Sequence, residues 1–148
     1  MKIFFKIWSY YLPLPLYFSL FYLWWQKDIN LSVISFVFML PVLYGYITPY
    51  IATTFMKKWK FNGGLKVGEI YYHHGFKIAS HLILWLTIAL VGVDMSKDFT
   101  PQMIMKLSLF VGVLQSLVVW IHDIYALRFG AIETVSYTHL TLPTIEWV

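Results

Sequence analysis

Four long stretches of the chain carry no charged residue: Ile7 to Trp25, Ile29 to Met56, Ile78 to Val93 and Leu107 to Ile121. Polar breaks separate them: "QKDIN", a longer break from Lys57 to Glu69 that holds "NGG", and "DMSKDFTPQ". About 20 residues of helix cross the hydrocarbon core of a bilayer. The third stretch reaches that length with "HHGFK" added before it, and the fourth with "QMIMK". The pattern predicts an all-α polytopic membrane protein. Its four transmembrane helices lie at approximately 7–25, 31–55, 74–93 and 103–126 and form one domain over residues 1–134. Asp98 or Thr100 is placed to cap the fourth helix, and Pro101 suits its first turn. Gly130 is placed to end it.

Prolines interrupt the first two spans. Pro13, Pro15, Pro41 and Pro49 each lack the N–H that would meet a carbonyl one turn earlier, those of Ser9, Tyr11, Val37 and Gly45. In hydrocarbon such carbonyls need other partners. Tyr46, Thr48 and their neighbours make the cytoplasmic half of the second helix polar as well as bent. A cavity at that bend is one expectation; an ordinary proline-containing span is the other.

The third helix gathers Glu69, His73, Lys77, Ser80, His81, Thr87 and His74 within an arc of about 140°. Ile83, Trp85, Leu86 and Leu90 form its opposite, lipid-facing side. On the fourth helix, Ser108, Gly112, Gln115, Ser116, His122, Asp123 and Ala126 share one side. Ser108, Gly112 and Ser116 make a small-xxx-small run that admits a close neighbour, in the bundle or in a dimer. Polar groups inside a membrane turn toward the bundle interior, so these two faces are expected to meet. Matched depth, at 1.5 Å per residue, pairs His81 with Gln115 about 20 Å from the outer surface. It sets His74 or His73 beside His122 and Asp123 at the cytoplasmic interface, with Glu69 just outside. Tyr71, Tyr72 and His73 read as a collar at the headgroups.

Composition agrees with a bilayer. Of 148 residues, 59% are hydrophobic and 12% charged, and mean hydropathy is +0.67. A soluble domain carries about twice that charge. Aromatic residues, 20% of the chain, cluster at span ends as an interfacial belt that includes Trp8, Tyr10 and Trp25. The chain has no cysteine, which excludes disulfides, thiolate metal sites and thiol nucleophiles. Lys2 and Lys6 precede an apolar run, as in a secretory signal, but that run ends in bulky "LWWQKD", so a retained helix is expected.

Charge sets the orientation. With four spans, Lys2, Lys6, Lys57, Lys58, Lys60, Lys66, Lys77 and Arg128 share one side, and Lys27, Lys97 and Lys106 the other. The basic side is cytoplasmic, which places both termini inside and the protein in the cytoplasmic (inner) membrane. The pI of about 9.2 then needs no nucleic acid. Lys57, Lys58, Lys60 and Lys66 are expected to touch anionic inner-leaflet lipid.

Three readings fit this pattern. In the first, His81, His122 and Asp123 are catalytic, in acid–base work on a lipid or isoprenoid-like substrate. His74, Gln115, Glu69, Tyr46 and Thr48 then line the pocket. In the second, the polar residues serve packing in a non-enzymatic membrane subunit, an assembly partner or a homo-oligomer. In the third, His74, His122 and Asp123 hold a metal, or His74 and His122 a haem. His74 and His81 are two turns apart and cannot share one ion. The HExxH motif and the histidine boxes of membrane desaturases are absent. No cofactor is required by the sequence.

Residues 135–145, "VSYTHLTLPTI", resemble a translated sequencing adapter. They lack the helical period and the aromatic texture of what precedes them. The resemblance implies that 135–148 is artefactual, that His139, Glu146 and Trp147 carry no meaning, and that the native chain continues past about Glu133. The other reading is a short disordered tail.

Overall fold

A computed structural model describes residues 2–91, 93 and 100–135. The element order is α1 (Lys2–Lys6), a π-helical turn (Ile7–Tyr11), α2 (Pro13–Trp25) and α3 (Leu31–Tyr50), which runs into a second π-helical turn (Ile51–Phe55). Then come β1 (Trp59–Phe61), β2 (Lys66–Val67), β3 (Ile70–Tyr71), α4 (His74–Ala89), α5 (Pro101–Arg128) and β4 (Ile132–Thr134). The protein is mostly helical. Two helices are long and apolar enough to cross a membrane, Leu31–Phe55 and Pro101–Arg128.

Local chemistry fixes the helix ends. The Asn30 side chain accepts from the Ser32 N–H at 2.8 Å and starts α3. Thr100 accepts from the Met103 N–H at 3.2 Å, and Pro101 opens α5. Asp98, the other candidate cap, lies outside the described residues, as do Asp94, Lys97 and the adapter-like segment from 136 onward. Gly130 closes α5 with φ +69°, and the Ala131 N–H reaches back to the Ala126 carbonyl at 2.8 Å.

The core lies between α2, α3 and α4. Tyr17, Leu20 and Trp24 meet Ile34, Phe38 and Val42, with Ala79 and Ile83 closing from α4. Trp24 donates its indole N–H to Thr87 Oγ1 at 2.9 Å, and Thr87 in turn donates to the Ile83 carbonyl at 2.7 Å. Where α3 crosses α4, two glycines face each other. A Cβ on Gly45 would stand 2.8 Å from the Gly75 Cα, and one on Gly75 would stand 2.6 Å from the Val42 carbonyl. Only glycine permits that approach.

Several expectations change here. The helix at 74–89 is central, not half lipid-facing: Ile83 is fully buried because α2 and α3 pack on the side assigned to lipid. At the bend in α3, Gly45 brings the α4 backbone into contact. The small-residue run of α5 points away from the bundle: Ser108, Gly112 and Ser116 are exposed, and a Cβ on Gly112 would meet nothing within 4 Å. Val111, His122 and Ala126 are the buried residues of α5 instead.

The segment between α3 and α4 also differs from an open connection. β1 pairs antiparallel with β4, Trp59 opposite Thr134 and Phe61 opposite Ile132. β2 and β3 form a small hairpin turning at Gly68 and Glu69. Phe61, Ile70 and Tyr71 are buried together. The Tyr71 hydroxyl lies 2.6 Å from the Asn62 carbonyl and 3.0 Å from that of Ala131, and it accepts from the Tyr10 hydroxyl at 3.2 Å. This cap ties Tyr10 and the segment Ala131 to Thr134 to one end of the helical body.

Candidate functional site: a buried histidine–lysine cluster

The site begins with a proline. Pro13 cannot donate to the Ser9 carbonyl, and the helix widens just before it. The Leu12 N–H bonds to Ile7, five residues back, at 2.9 Å. The Ser9 carbonyl faces the His73 ring closely enough to favour its protonated form. The same widened turn directs Trp8 and Ser9 toward α4 and α5.

Lys77 and His81 lie one turn apart on α4 and share a face. Both are buried, as are Ser9, His73, His74 and His122. Trp8 donates its indole N–H to His81 Nε2 at 2.9 Å. An indole can only donate, so His81 Nε2 accepts and its proton sits on Nδ1. His122 uses both nitrogens. Nδ1 lies 3.1 Å from Asp123 Oδ1, which can only accept, so Nδ1 carries the hydrogen. Nε2 is then an acceptor, 3.1 Å from Ser9 Oγ and 3.3 Å from Lys77 Nζ. Asp123 itself reaches solvent, with its side chain 55% exposed, so the chain of contacts runs from the surface to a buried ammonium.

Aromatic rings wall the cluster. Phe5 stacks on His122 at 5.3 Å and also meets Phe129, while Trp8 contacts His122 edge-on at 5.6 Å. Ser9, His73, Lys77 and His122 line one cavity of about 10 Å³, room for about one water. Next to it a groove of about 530 Å³ runs between Lys6, Tyr11, Asn62, Tyr72 and Phe129. Phe5, Tyr10 and Ala131 belong to the walls of both.

The residues expected from sequence are distributed unevenly. His81, His122 and Asp123 belong to the cluster. His81 does not pair with Gln115: its Nε2 is taken by Trp8, and the Gln115 Oε1 is buried without a hydrogen-bond partner. No hydrogen bond joins His74 to His122. The His74 ring packs on Phe61 at 5.1 Å, and its Nδ1 is buried and unpartnered. Among the described residues no three His, Asp or Glu side chains converge as a metal set would require. Glu69 is exposed in the turn of the small hairpin, Thr48 is exposed on α3, and Tyr46 donates to the Tyr72 carbonyl. None of these three lines the cavity.

The collar at Tyr71 to His73 is only partly a surface feature. Tyr72 is exposed, but His73 and Tyr71 are buried and stacked at 5.6 Å. Burial pushes the His73 imidazole down to about 4, the Lys77 charge adds to this, and the Ser9 carbonyl opposes it. Burial, assisted by the Tyr10 hydroxyl, raises the Tyr71 phenol above its ordinary value, against a smaller effect of the Asn62 carbonyl. Of the basic loop, Lys57, Lys58 and Lys60 are exposed, while the Lys66 ammonium bonds to the Phe61 carbonyl.

Sequence reasoning missed Trp8 and Ser9, taking the first as part of the headgroup belt. Pro13, four residues past Ser9, was the available signal. Lys77 was counted as a topology charge, although its spacing to His73 and His81 already placed it on the polar face.

Comparison with protein-family models, with curated proteins and with solved structures finds no match to this chain.

Proposed function

We propose that the protein is an integral membrane enzyme with an acid–base site at the cytoplasmic headgroup level, acting on a lipid-like substrate. The continuous helical path from Lys2 to Trp25 and the shorter α4 add two spans to the two apolar helices. They give a four-span bundle with both termini in the cytoplasm. The heavily apolar exterior supports this: Phe36, Met105, Leu109 and Trp120 are each at least 66% exposed, and water does not tolerate so many apolar side chains in one continuous surface. The charge asymmetry supports the orientation and an inner-membrane location, with the exposed lysines of the 57–60 segment against anionic lipid.

The observation that carries the enzyme reading is the bridging of His122. Its Nδ1 is oriented by Asp123, and its Nε2 is offered to a hydroxyl and an ammonium. A base oriented by a third group, beside a proton donor, is the arrangement acid–base catalysis needs. The test is lipid turnover by the purified protein in nanodiscs supplied with membrane lipid extract, followed by mass spectrometry. The wild type converts a lipid species, and His122→Gln slows that conversion by roughly 10²-fold or more without loss of folding. A wild type that alters no lipid, or a His122→Gln variant as active as wild type, overturns the reading.

One observation favours a second reading, that of a non-enzymatic membrane subunit: the cavity at His122 holds about 10 Å³ and no substrate-sized space. Under that reading His122→Gln lowers the unfolding temperature and changes no chemistry.

A further inference from the structure

We propose that Ser9 is the nucleophile of this site and that the substrate is a carboxylic ester of a membrane glycerolipid. The inference rests on the acid–base reading above and adds a covalent intermediate to it. Ser9 Oγ lies 3.1 Å from His122 Nε2, and the other nitrogen of that ring lies 3.1 Å from Asp123 Oδ1. Nucleophile, base and orienting carboxylate thus stand in the order that activates a serine, whatever the fold. The position of Ser9 has a separate cause, the widened turn before Pro13. A helical serine commonly turns its hydroxyl back to its own backbone; this one is spent on a ring 113 residues away.

Lys77 supplies the remaining part. It is the one lysine lining the cavity, and its Nζ is 3.3 Å from the same His122 nitrogen. Nε2 has a single lone pair, so Ser9 and Lys77 compete for it. A carbonyl oxygen in the cavity draws the ammonium to itself and leaves Nε2 to Ser9. The same ammonium then faces the charge that develops on that oxygen. The substrate class follows from depth and access. Ester carbonyls of glycerolipids lie at the boundary between headgroup and chain, the level that the proposed four-span arrangement gives His122. The groove beside the cavity is separated from it by Phe5, Tyr10 and Ala131. Swinging the Phe5 ring off His122 joins the two spaces.

The chemistry balances without a further reactant except water. Ser9 Oγ bonds to the carbonyl carbon while its proton passes to His122 Nε2. The bond from that carbon to the glycerol oxygen breaks, and the glycerol oxygen takes the proton from His122. Water, deprotonated by the same nitrogen, attacks the Ser9 ester. Fatty acid leaves and Ser9 regains its proton.

The test uses the full chain in nanodiscs with a lipophilic fluorophosphonate probe, and peptide mass spectrometry locates the adduct. The expected result is one adduct on Ser9, lost in Ser9→Ala and slowed by roughly 10²-fold in His122→Gln. The second arm exploits the absence of cysteine: Ser9→Cys carries the chain's single thiol. Its alkylation by a lipid-soluble iodoacetamide should be slowed at least about tenfold by His122→Gln, with the pH profile displaced upward, as expected when a thiol loses an adjacent base. A merely structural serine gives no fluorophosphonate adduct, while the thiol arm checks that position 9 stands against His122. An adduct elsewhere, no adduct on the folded wild type, or thiol alkylation indifferent to His122 overturns the inference. If lipid turnover depends on His122 but persists in Ser9→Ala, the acid–base reading stands and the nucleophile assignment falls.

Discussion

Trp8 donates its indole N–H to His81 Nε2 at 2.9 Å and so ties the start of the first apolar segment to the middle of α4, 73 residues on. The bond satisfies a buried imidazole nitrogen and fixes its tautomer. Trp8→Phe keeps the ring volume roughly but leaves that nitrogen without a donor. A loss of about 1–3 kcal/mol is expected, the usual cost of an unsatisfied buried polar group. Thermal unfolding in detergent checks it. His81→Leu in the Trp8→Phe background should recover part of the loss, because both partners are then apolar; an additive double variant would contradict the pairing.

The crossing of α3 and α4 depends on two glycines. Gly75→Ala puts a methyl group 2.6 Å from the Val42 carbonyl. Neither backbone can yield without displacing Tyr46 and the core beneath it. Overpacking of this kind costs about 1–3 kcal/mol. An unfolding midpoint equal to wild type would mean the helices do not touch there.

His73 makes stability depend on pH. Its folded value is held down near 4, below the ordinary 6.5, chiefly by burial and then by the Lys77 charge. The unfolded chain therefore binds the proton more readily, so stability is full above about 6.5 and declines as pH falls toward 4. His73→Gln should flatten that part of the profile, measured as unfolding midpoint against pH. An unchanged slope between pH 6.5 and 4 would assign the decline to other groups.

The mostly helical character was legible because long uncharged runs leave few alternatives, and two of those runs, Leu31–Phe55 and Pro101–Arg128, are long and apolar enough to cross a membrane. The helix ends at Thr100 and Gly130 were legible from capping chemistry. Polar periodicity found His81, His122 and Asp123. It failed on their partners, because it assumed that polar faces pair only with polar faces. The partner of His81 is a tryptophan, whose single N–H is invisible to a hydropathy pattern, and one partner of His122 is a lone serine in an aromatic run. Gly45 and Gly75, which decide how α3 and α4 meet, carry no periodic signal at all. The pairing of β1 with β4 joins residues about 70 positions apart through short strands, below the length at which alternation can be read.

The central claim is that the Ser9–His122 contact sits at the cytoplasmic end of a four-span bundle, and cysteine accessibility tests it directly because these 148 residues include no cysteine. Single cysteines at Lys27, Gln102, Lys58 and Arg128 are exposed to a membrane-impermeant maleimide on intact cells, then after permeabilisation. The account predicts immediate labelling at positions 27 and 102, and labelling at 58 and 128 only once the membrane is opened. Labelling of 58 or 128 from outside, or protection of 27 or 102, would contradict it.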